Sequence, residues 1–202
     1  MDYRVTVQGV SALLHHRFDE SAEANEQTRK VHIKSLDPRE AAEKCAHRGP
    51  DGVLFVPGAA FGRLIREAGS AHKQRGSRKS LKYVIPSAML ILQDVVPLHD
   101  VDGEPILDFE VDSRPVVIPS TKGRIMRHRP RINAWCASFD IDVSEDLIDA
   151  STVQQLLTEG GRSIGIGDFR PEKGGPFGRF MVTAWTALKD AKPSTAPRRK
   201  AA

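Results

Sequence analysis

The chain has 202 residues, of which 40% are hydrophobic, which is enough apolar material for one domain with insertions. Charged residues make up 28%, and no apolar run approaches the roughly 20 residues of a membrane-spanning helix, so these features exclude a membrane protein. The net charge is +4. Cys45 and Cys136 lack neighbours at metal-ligand spacing, so we expect reduced thiols and no structural metal. We also expect no cofactor.

The first part of the chain predicts a strand, a long excursion and a helix. Alternating apolar residues over 3–10 predict a strand rather than a signal peptide, which favours a cytoplasmic location. Residues 11–36 are polar, with few periodic apolar positions, so we expect an exposed excursion. Asp37 is a suitable cap for a helix over 38–48, which completes an insertion of about 11–52.

The middle of the chain predicts two buried strands, a helix and a hairpin. The apolar run Val53–Val56 predicts a short strand that ends at Pro57–Gly58, and helical spacing follows over 58–70. Residues 88–96 are apolar enough for a buried strand. Turn residues flanked by alternating ones predict an acidic hairpin over 99–119.

The last part predicts a strand, a helix, a strand and a tail. Alternation indicates a strand over 132–143, and a helix over 151–160 is expected to end at Gly160–Gly161. Residues 179–187 predict the final strand, and the basic segment 189–202 is typical of disorder.

Without the insertions, the predicted order is strand, helix, strand, strand, helix, strand. This βαββαβ order indicates an α+β fold with a ferredoxin-like, or RRM-like, core over residues 1–188. Such a scaffold carries many different activities, so it does not by itself establish function.

Basic residues are segregated along the chain. Residues 63–82 contain seven Lys and Arg against one acid, residues 122–131 contain five and no acid, and the intervening 94–112 carry seven acids. Segregation of this kind favours a polyanionic partner on one face, although a patchy solvated surface is the alternative.

Glycines are concentrated between the last predicted helix and the last strand, from Gly165 to Arg179. Glycine allows positive φ and a close backbone approach, and successive backbone amides can bind phosphate oxygens. No Gly-Lys-Ser/Thr sequence follows, so this is not a P-loop for a mononucleotide. We predict a phosphate-contacting loop; an ordinary glycine-rich turn is the alternative.

A second candidate phosphate site is the start of the helix after Pro57–Gly58. The amides in the first turn of a helix and its dipole attract anions, and the small Ala59 and Ala60 leave this end open. A plain strand-to-helix turn is the alternative interpretation.

These two segments together resemble the RAMP superfamily of RNA-binding CRISPR proteins. Val56-Pro57-Gly58, Gly62, Leu64 and Arg66 match its I-P-G-S-S-x-K-G-x-x-R element, and Gly165 to Gly178 are similar to its C-terminal glycine-rich loop. The resemblance is greatest to backbone subunits, and it implies binding of a guide RNA, contact with further copies and association with other effector subunits. Ala59-Ala60 replace the usual serines, which removes two hydroxyls.

Basic residues also flank an aromatic strand, as single-stranded nucleic acid requires: charge for phosphates and rings for bases. Trp135 lies on the apolar phase of its strand, so we expect it in the core rather than at a stacking position. The residues that we expect to contact RNA are Gly58, Ala59, Arg63, Arg66, Arg75, Arg78, Lys79, Lys122, Arg124, Arg127, Arg129, Gly165, Gly167, Arg170, Lys173, Gly174, Gly175 and Arg179.

Two competing hypotheses remain beside a non-catalytic single-strand binder. His15 and His16 are candidates for acid–base RNA cleavage, and Asp19 is a candidate for metal-assisted cleavage, although packing histidines are the simpler interpretation. The other is a phage or mobile-element assembly protein that associates head to tail. The sequence leaves the choice between RNA and single-stranded DNA open.

Overall fold

A central antiparallel sheet organises the chain, which a computed structural model describes over residues 1–17, 37–117 and 123–188. The strands in these ranges are β1 (Asp2–Gly9), β2 (Leu13–Leu14), β3 (Phe55–Pro57), β4 (Met89–Ile91), β5 (Val95–His99), β6 (Glu110–Val117), β7 (Arg124–Ile132), β8 (Cys136–Val143) and β9 (Phe180–Ala187). The helices are α1 (Pro38–Lys44), α2 (Gly58–Ala68), α3 (Ile85–Ala88) and α4 (Ala150–Ser163). Within these ranges no helix has the length and apolar character needed to cross a membrane.

The sheet has the order β3-β5-β8-β1-β9, and β4 pairs with β8 beside this path. Every pairing is antiparallel, and β1 lies between β8 and β9, with Val5 opposite both Phe139 and Trp185. Helices α2 and α4 pack on each other, and α4 packs on β9. The α+β, ferredoxin-like class is therefore confirmed, although extra strands interrupt the simple βαββαβ order.

The core lies between these helices and the sheet because both contribute a regular apolar face. On β8, Trp135 precedes the buried positions Ala137, Phe139, Ile141 and Val143, as the strict alternation predicted. Phe61 of α2 stacks on Phe139, with ring centroids 4.2 Å apart. Burial of each such side chain stabilises the fold by roughly 1.5–3 kcal/mol.

The prediction of one buried strand over 88–96 was wrong. The segment begins at the end of α3 and then divides into β4 and β5, leaving Leu90 62% and Val95 50% exposed. Two polar contacts interrupt it: the Gln93 amide oxygen accepts from Asp140 N (2.7 Å), and the Asp94 carbonyl accepts from Gly58 N (2.8 Å). An apolar run alone does not reveal such a break.

The hairpin predicted over 99–119 was also wrong. Residues 99–105 form a tight turn, but β6 pairs with β7 instead of folding back on that turn. The second sheet thus has the order β2-β7-β6, and we call its two long strands the β6–β7 ribbon. Alternating arginines concealed β7, which ends at Ile132, and the strand predicted over 132–143 is β8, which begins at Cys136. Residues 118–122, which connect the two strands in sequence, lie outside the described residues.

Helix α4 continues through Gly160–Gly161 to Ser163, so its predicted end was wrong. A Cβ on Gly160 would lie 2.3 Å from Leu64 Cδ2, and one on Gly161 would lie 2.7 Å from the Phe180 carbonyl oxygen. These glycines therefore allow α4 to pack closely on its neighbours and do not end the helix. The predicted excursion lies largely outside the described residues, since 18–36 are not described, and the predicted tail 189–202 also lies outside them.

Candidate nucleic-acid interface

The glycine-rich loop, residues 165–179, is anchored by backbone hydrogen bonds to the segment that contains β2. Asp168 N donates to the Leu14 carbonyl (2.9 Å) and Gly178 N to the Ala12 carbonyl (2.8 Å). The loop therefore lies beside the two histidines that follow β2, although about 150 residues separate them in sequence.

The glycines of this loop mainly allow it to pack against itself. Gly178 has φ 70°, and a Cβ there would lie 1.8 Å from the Ile166 carbonyl oxygen; one on Gly175 would lie 1.8 Å from the Phe169 carbonyl oxygen. Gly174, at φ 76°, differs from these two glycines, because nothing lies within 4 Å of its Cβ position. Most glycines here thus have a structural reason that is independent of a ligand.

Most amides in the loop already donate within the protein. The amides with a protein acceptor are those of Gly165, Ile166, Asp168, Glu172, Lys173, Gly174, Gly175, Phe177, Gly178 and Arg179. A cradle of successive amides, as expected from the sequence, therefore has few donors left for phosphate. Side chains must supply most of any phosphate contact made by this loop.

Two acids that the sequence analysis did not single out hold the loop in place. Glu172 lies 3.0 Å from Arg63 of α2 and 2.6 Å from Arg170, so it joins the loop to the helix. Burial alone would raise the pKa of Glu172, but the charges and hydrogen bonds of the two arginines lower it overall.

Asp168 makes the corresponding connection to the β6–β7 ribbon. Its Oδ2 lies 2.6 Å from Nε of Arg129, and the angles make this an ion pair rather than a hydrogen bond. Arg129 is only 8% exposed, so it is not available as a free cation. Breaking such a buried pair on one side is strongly destabilising.

The ribbon also contacts the loop through a cation–aromatic interaction. The Arg114 guanidinium lies 4.6 Å from the Phe177 ring centre and 5.8 Å from that of Phe169, while its Nε donates to Asp112. Phe169 is 36% exposed and has φ 44°, a backbone conformation that costs about 1–3 kcal/mol in a residue other than glycine.

The expected cations on β7 divide between two faces. Arg127 is the cross-strand partner of Arg114, so both lie on the side of the ribbon that faces the loop. Arg124 lies three positions away and therefore on the other face; both are exposed and have no ion-pair partner among the described residues. Lys122 lies outside the described residues.

The loop and the start of α2 line one cleft of about 320 Å³. Its lining residues are Leu13, His15, His16, His47, Val56, Pro57, Ala60, Arg63, Ile166, Gly167, Asp168 and Arg170. At the helix start, Gly58 N donates to Asp94, and a Cβ on Gly58 would lie 1.9 Å from the Gln93 carbonyl oxygen. The Gly58 amide is therefore already used.

Three histidines meet at this cleft, of which the sequence analysis identified two. His15 is 2% exposed, and burial, with the nearby charges of His47 and Arg48, lowers its pKa to about 3. Its ring centre lies 5.3 Å from that of His47. Burial also lowers the pKa values of His16 and His47, against a raising effect of Asp168 on His16.

Within the described ranges no three His, Cys, Asp or Glu side chains are placed so that they could hold a metal ion. Asp19, the candidate for metal-assisted cleavage, lies outside those ranges.

The remaining expected cations lie away from the cleft. Arg66 contacts Glu67 (2.9 Å) on α2, and the same acid contacts Lys82 (2.9 Å). The 72–82 segment follows the carboxyl end of α2, whereas the cleft is at its amino end; an 11-residue helix is about 16 Å long. In that segment, Arg75, Arg78 and Lys79 are exposed. Basic residues that are contiguous in sequence are thus separated in space.

Trp135 is a core residue, as predicted. It is 1% exposed, and its Nε1 donates to the Ser11 carbonyl (3.0 Å). Phe169, which the sequence analysis did not single out, is the more exposed ring beside the ribbon.

No family model matches the sequence, and no characterised protein matches it in sequence. The chain is similar in structure to a chain of a solved structure titled "Type IV-B CRISPR Complex", with 13% identity, a TM-score of 0.47 and coverage of 97% of this chain and 96% of that one. It is also similar to Cmr6 from Pyrococcus furiosus, with 10% identity, a TM-score of 0.43 and coverage of 90% of this chain and 97% of that one.

Proposed function

We propose that this chain binds single-stranded RNA through its phosphates, as a subunit of a CRISPR-related ribonucleoprotein. The surface comprises the loop-facing side of β7 and the glycine-rich loop. The observation that carries the proposal is the exposed Arg127 on this side, with Lys173 and Arg179 in the loop. None of the three is in an ion pair with an acid of the described ranges.

The internal ion pairs favour this surface because they neutralise its acids. Asp168 is paired with Arg129, and Glu172 with two arginines, so neither carboxylate is left to repel a phosphate. The unpaired cations then leave a net positive charge at the loop. Phosphate contacts by such cations release counterions, so affinity falls with salt.

A single strand suits the surface better than a duplex because its unpaired bases can stack on an aromatic side chain. Phe169 offers one exposed ring for stacking of an unpaired base, next to Arg114. Since aromatic residues make up only 6% of the chain, we expect phosphate contacts to dominate and binding to be sequence-tolerant. The setting in a CRISPR complex rests on the motif resemblance.

Fluorescence anisotropy with a labelled single-stranded RNA at about 50 and 200 mM salt tests the proposal. We expect Arg127→Glu to lower affinity about tenfold and to reduce the salt slope by at least about one. Arg124→Glu is the matched control, because it makes the same change on the other face, and we expect less than threefold loss. Absence of binding, salt-independent binding or equal effects of the two variants would contradict the proposal.

Assembly with further copies and with other effector subunits is a second part of the proposal. The acidic stretch 94–112 is a candidate contact, but part of its charge is used internally, since Asp108 pairs with Arg39 and Asp112 with Arg114. Mass photometry with RNAs of increasing length measures this directly. We expect the number of bound copies to rise with length; one copy on every length would contradict assembly along the strand.

A second candidate function is a metal-independent endoribonuclease, favoured by the three histidines at one cleft. The low pKa of His15 keeps it neutral, so His16 and His47 are the candidates for proton transfer. Incubation of RNA with the chain in EDTA tests this. Cleavage that is lost in both His16→Ala and His47→Ala would support it, and intact RNA would contradict it.

A further inference from the structure

The cleft between the glycine-rich loop and α2 has the size and lining of a small-ligand pocket. Its volume of about 320 Å³ lies in the range of such sites. Leu13, Val56, Pro57 and Ile166 provide apolar walls, and three histidines together with Arg63, Asp168 and Arg170 provide polar groups among them. Apolar walls with polar groups between them suit a planar ring that carries its own hydrogen-bonding atoms.

One ring nitrogen among these polar groups, Nε2 of His15, is buried without a hydrogen-bond partner among the described residues. Nδ1 of His15 accepts from the backbone amide of His47 (3.3 Å), so the proton of the neutral imidazole must be on Nε2. Nε2 is buried and has no hydrogen-bond partner among the described residues. A buried donor of this kind is costly unless something accepts its hydrogen, so it points to a ligand.

The chemistry of His15 indicates a neutral acceptor. Because the low pKa keeps the ring uncharged, it offers one fixed N–H without a positive charge. The charged side chains that line the cleft, Arg63, Asp168 and Arg170, are each in an ion pair, so none is left to bind a phosphate there. A ring nitrogen or a carbonyl oxygen of a nucleobase is neutral, planar and able to accept.

We propose that the cleft receives one unstacked nucleobase of the bound strand, with His15 Nε2–H donating to a ring nitrogen or carbonyl oxygen of that base. The inference rests on the proposed function, since the strand must first lie along β7 and the loop. Nε2 is covered in the unliganded chain, so binding includes a rotamer change of side chains at the rim, where His16 is exposed.

The test compares two probes, a ten-nucleotide uridine RNA and an abasic ribose-phosphate chain of the same length, by competition anisotropy. We expect the wild-type chain to bind the base-bearing strand about tenfold tighter. His15→Phe removes the donor and should reduce that ratio to about two. His99→Phe makes the same change at a partly buried histidine outside the cleft and should keep the wild-type ratio.

A second variant keeps the test decisive if His15→Phe does not fold. Ala60→Phe fills the cleft from α2 without altering His15, and it should also reduce the ratio to about two. Equal wild-type affinity for both probes, or wild-type ratios in every folded cleft variant, would overturn the base pocket while leaving phosphate binding intact. Absence of binding to either probe would overturn both proposals.

Discussion

Two basic loops of this chain each contain a glycine at positive φ but have different surroundings. The glycine-rich loop and the 72–82 segment are both basic, and each contains a glycine at positive φ, Gly178 at 70° and Gly76 at 72°. A Cβ on Gly178 would meet a backbone oxygen at 1.8 Å, whereas nothing lies within 4 Å of one on Gly76. Similar residues thus belong to a packed loop in one case and to an open one in the other.

Each loop is also connected to α2 by one acid, which is Glu172 within the glycine-rich loop and Glu67 of α2 itself beside the 72–82 segment. Glu172 contacts Arg63 and Arg170, and Glu67 contacts Arg66 and Lys82. Each carboxylate joins α2 to a neighbouring segment, but Glu172 does so at the cleft and Glu67 on the side of the 72–82 segment. The residue types in the two ion-pair groups are similar. What makes Arg63 and Arg170 candidates for binding is that they lie at the cleft, whereas Arg66 and Lys82 lie away from it.

The largest expected effect separates the two glycines. Gly178→Ala adds a steric clash with Ile166 to the unfavourable positive φ, so we expect the free energy of unfolding to fall by at least about 3 kcal/mol. Gly76→Ala meets no clash and has only the unfavourable positive φ, so it should lower the free energy of unfolding by about 1 kcal/mol. Urea denaturation of both variants measures the difference; equal losses would break the comparison.

The next effect concerns acid stability, to which His15 beside the glycine-rich loop contributes. Its pKa falls from about 6.5 in the unfolded chain to about 3 in the folded one, so the unfolded state binds more protons below pH 6.5. Stability due to this group is present above that pH and is lost as pH falls toward 3. Between pH 7 and 5 the loss is about 2 kcal/mol.

His15→Gln should remove this contribution, because glutamine does not titrate. Chemical denaturation at pH 7 and pH 5 measures it in the wild type and the variant. The same pH dependence in both would show that His15 protonates freely in the folded chain.

A smaller effect distinguishes the two bridging acids by RNA affinity. Glu172→Gln leaves Arg63 and Arg170 without their carboxylate partner at the cleft, so we expect about threefold tighter binding of single-stranded RNA. Glu67→Gln frees two cations on the other side of α2 and should leave affinity unchanged. Anisotropy at one fixed salt concentration measures both; tighter binding by Glu67→Gln would place part of the interface there.

The smallest expected effect is in the 72–82 segment itself. Its location at the carboxyl end of α2, away from the cleft, predicts that the triple variant Arg75→Ala, Arg78→Ala, Lys79→Ala loses less than about twofold in RNA affinity. The same anisotropy assay measures it. A tenfold loss would move the interface to this segment.

Sequence-based prediction succeeded where a segment's own pattern decides its structure. The alternation in β8 depends only on which side chains are apolar, and β1 and β9 were predicted to within one residue at each end. The pattern failed where a distant contact decides. Alternating arginines concealed β7, whose pairing with β6 defines its register, and Gly160 serves contact with Leu64 rather than a helix end.

The sequence indicated the two segments that line the cleft but not how their charged side chains pair. The resemblance of two motifs indicated the glycine-rich loop and the start of α2, and both line the cleft. Which arginines are neutralised depends on long-range pairs such as Arg129 with Asp168 and Arg63 with Glu172. His47 enters the cleft from a separate segment, so no local spacing connects it to His15.

The central place of β1 also has a consequence for the order in which the chain folds. Its Thr6 lies beside Ser138 of β8 and Thr183 of β9, which are 132 and 177 positions away. During synthesis, β1 therefore leaves the ribosome long before either neighbour exists, with both of its edges unpaired. Contacts at such sequence separations form slowly, and an unpaired strand can associate with other chains in the meantime.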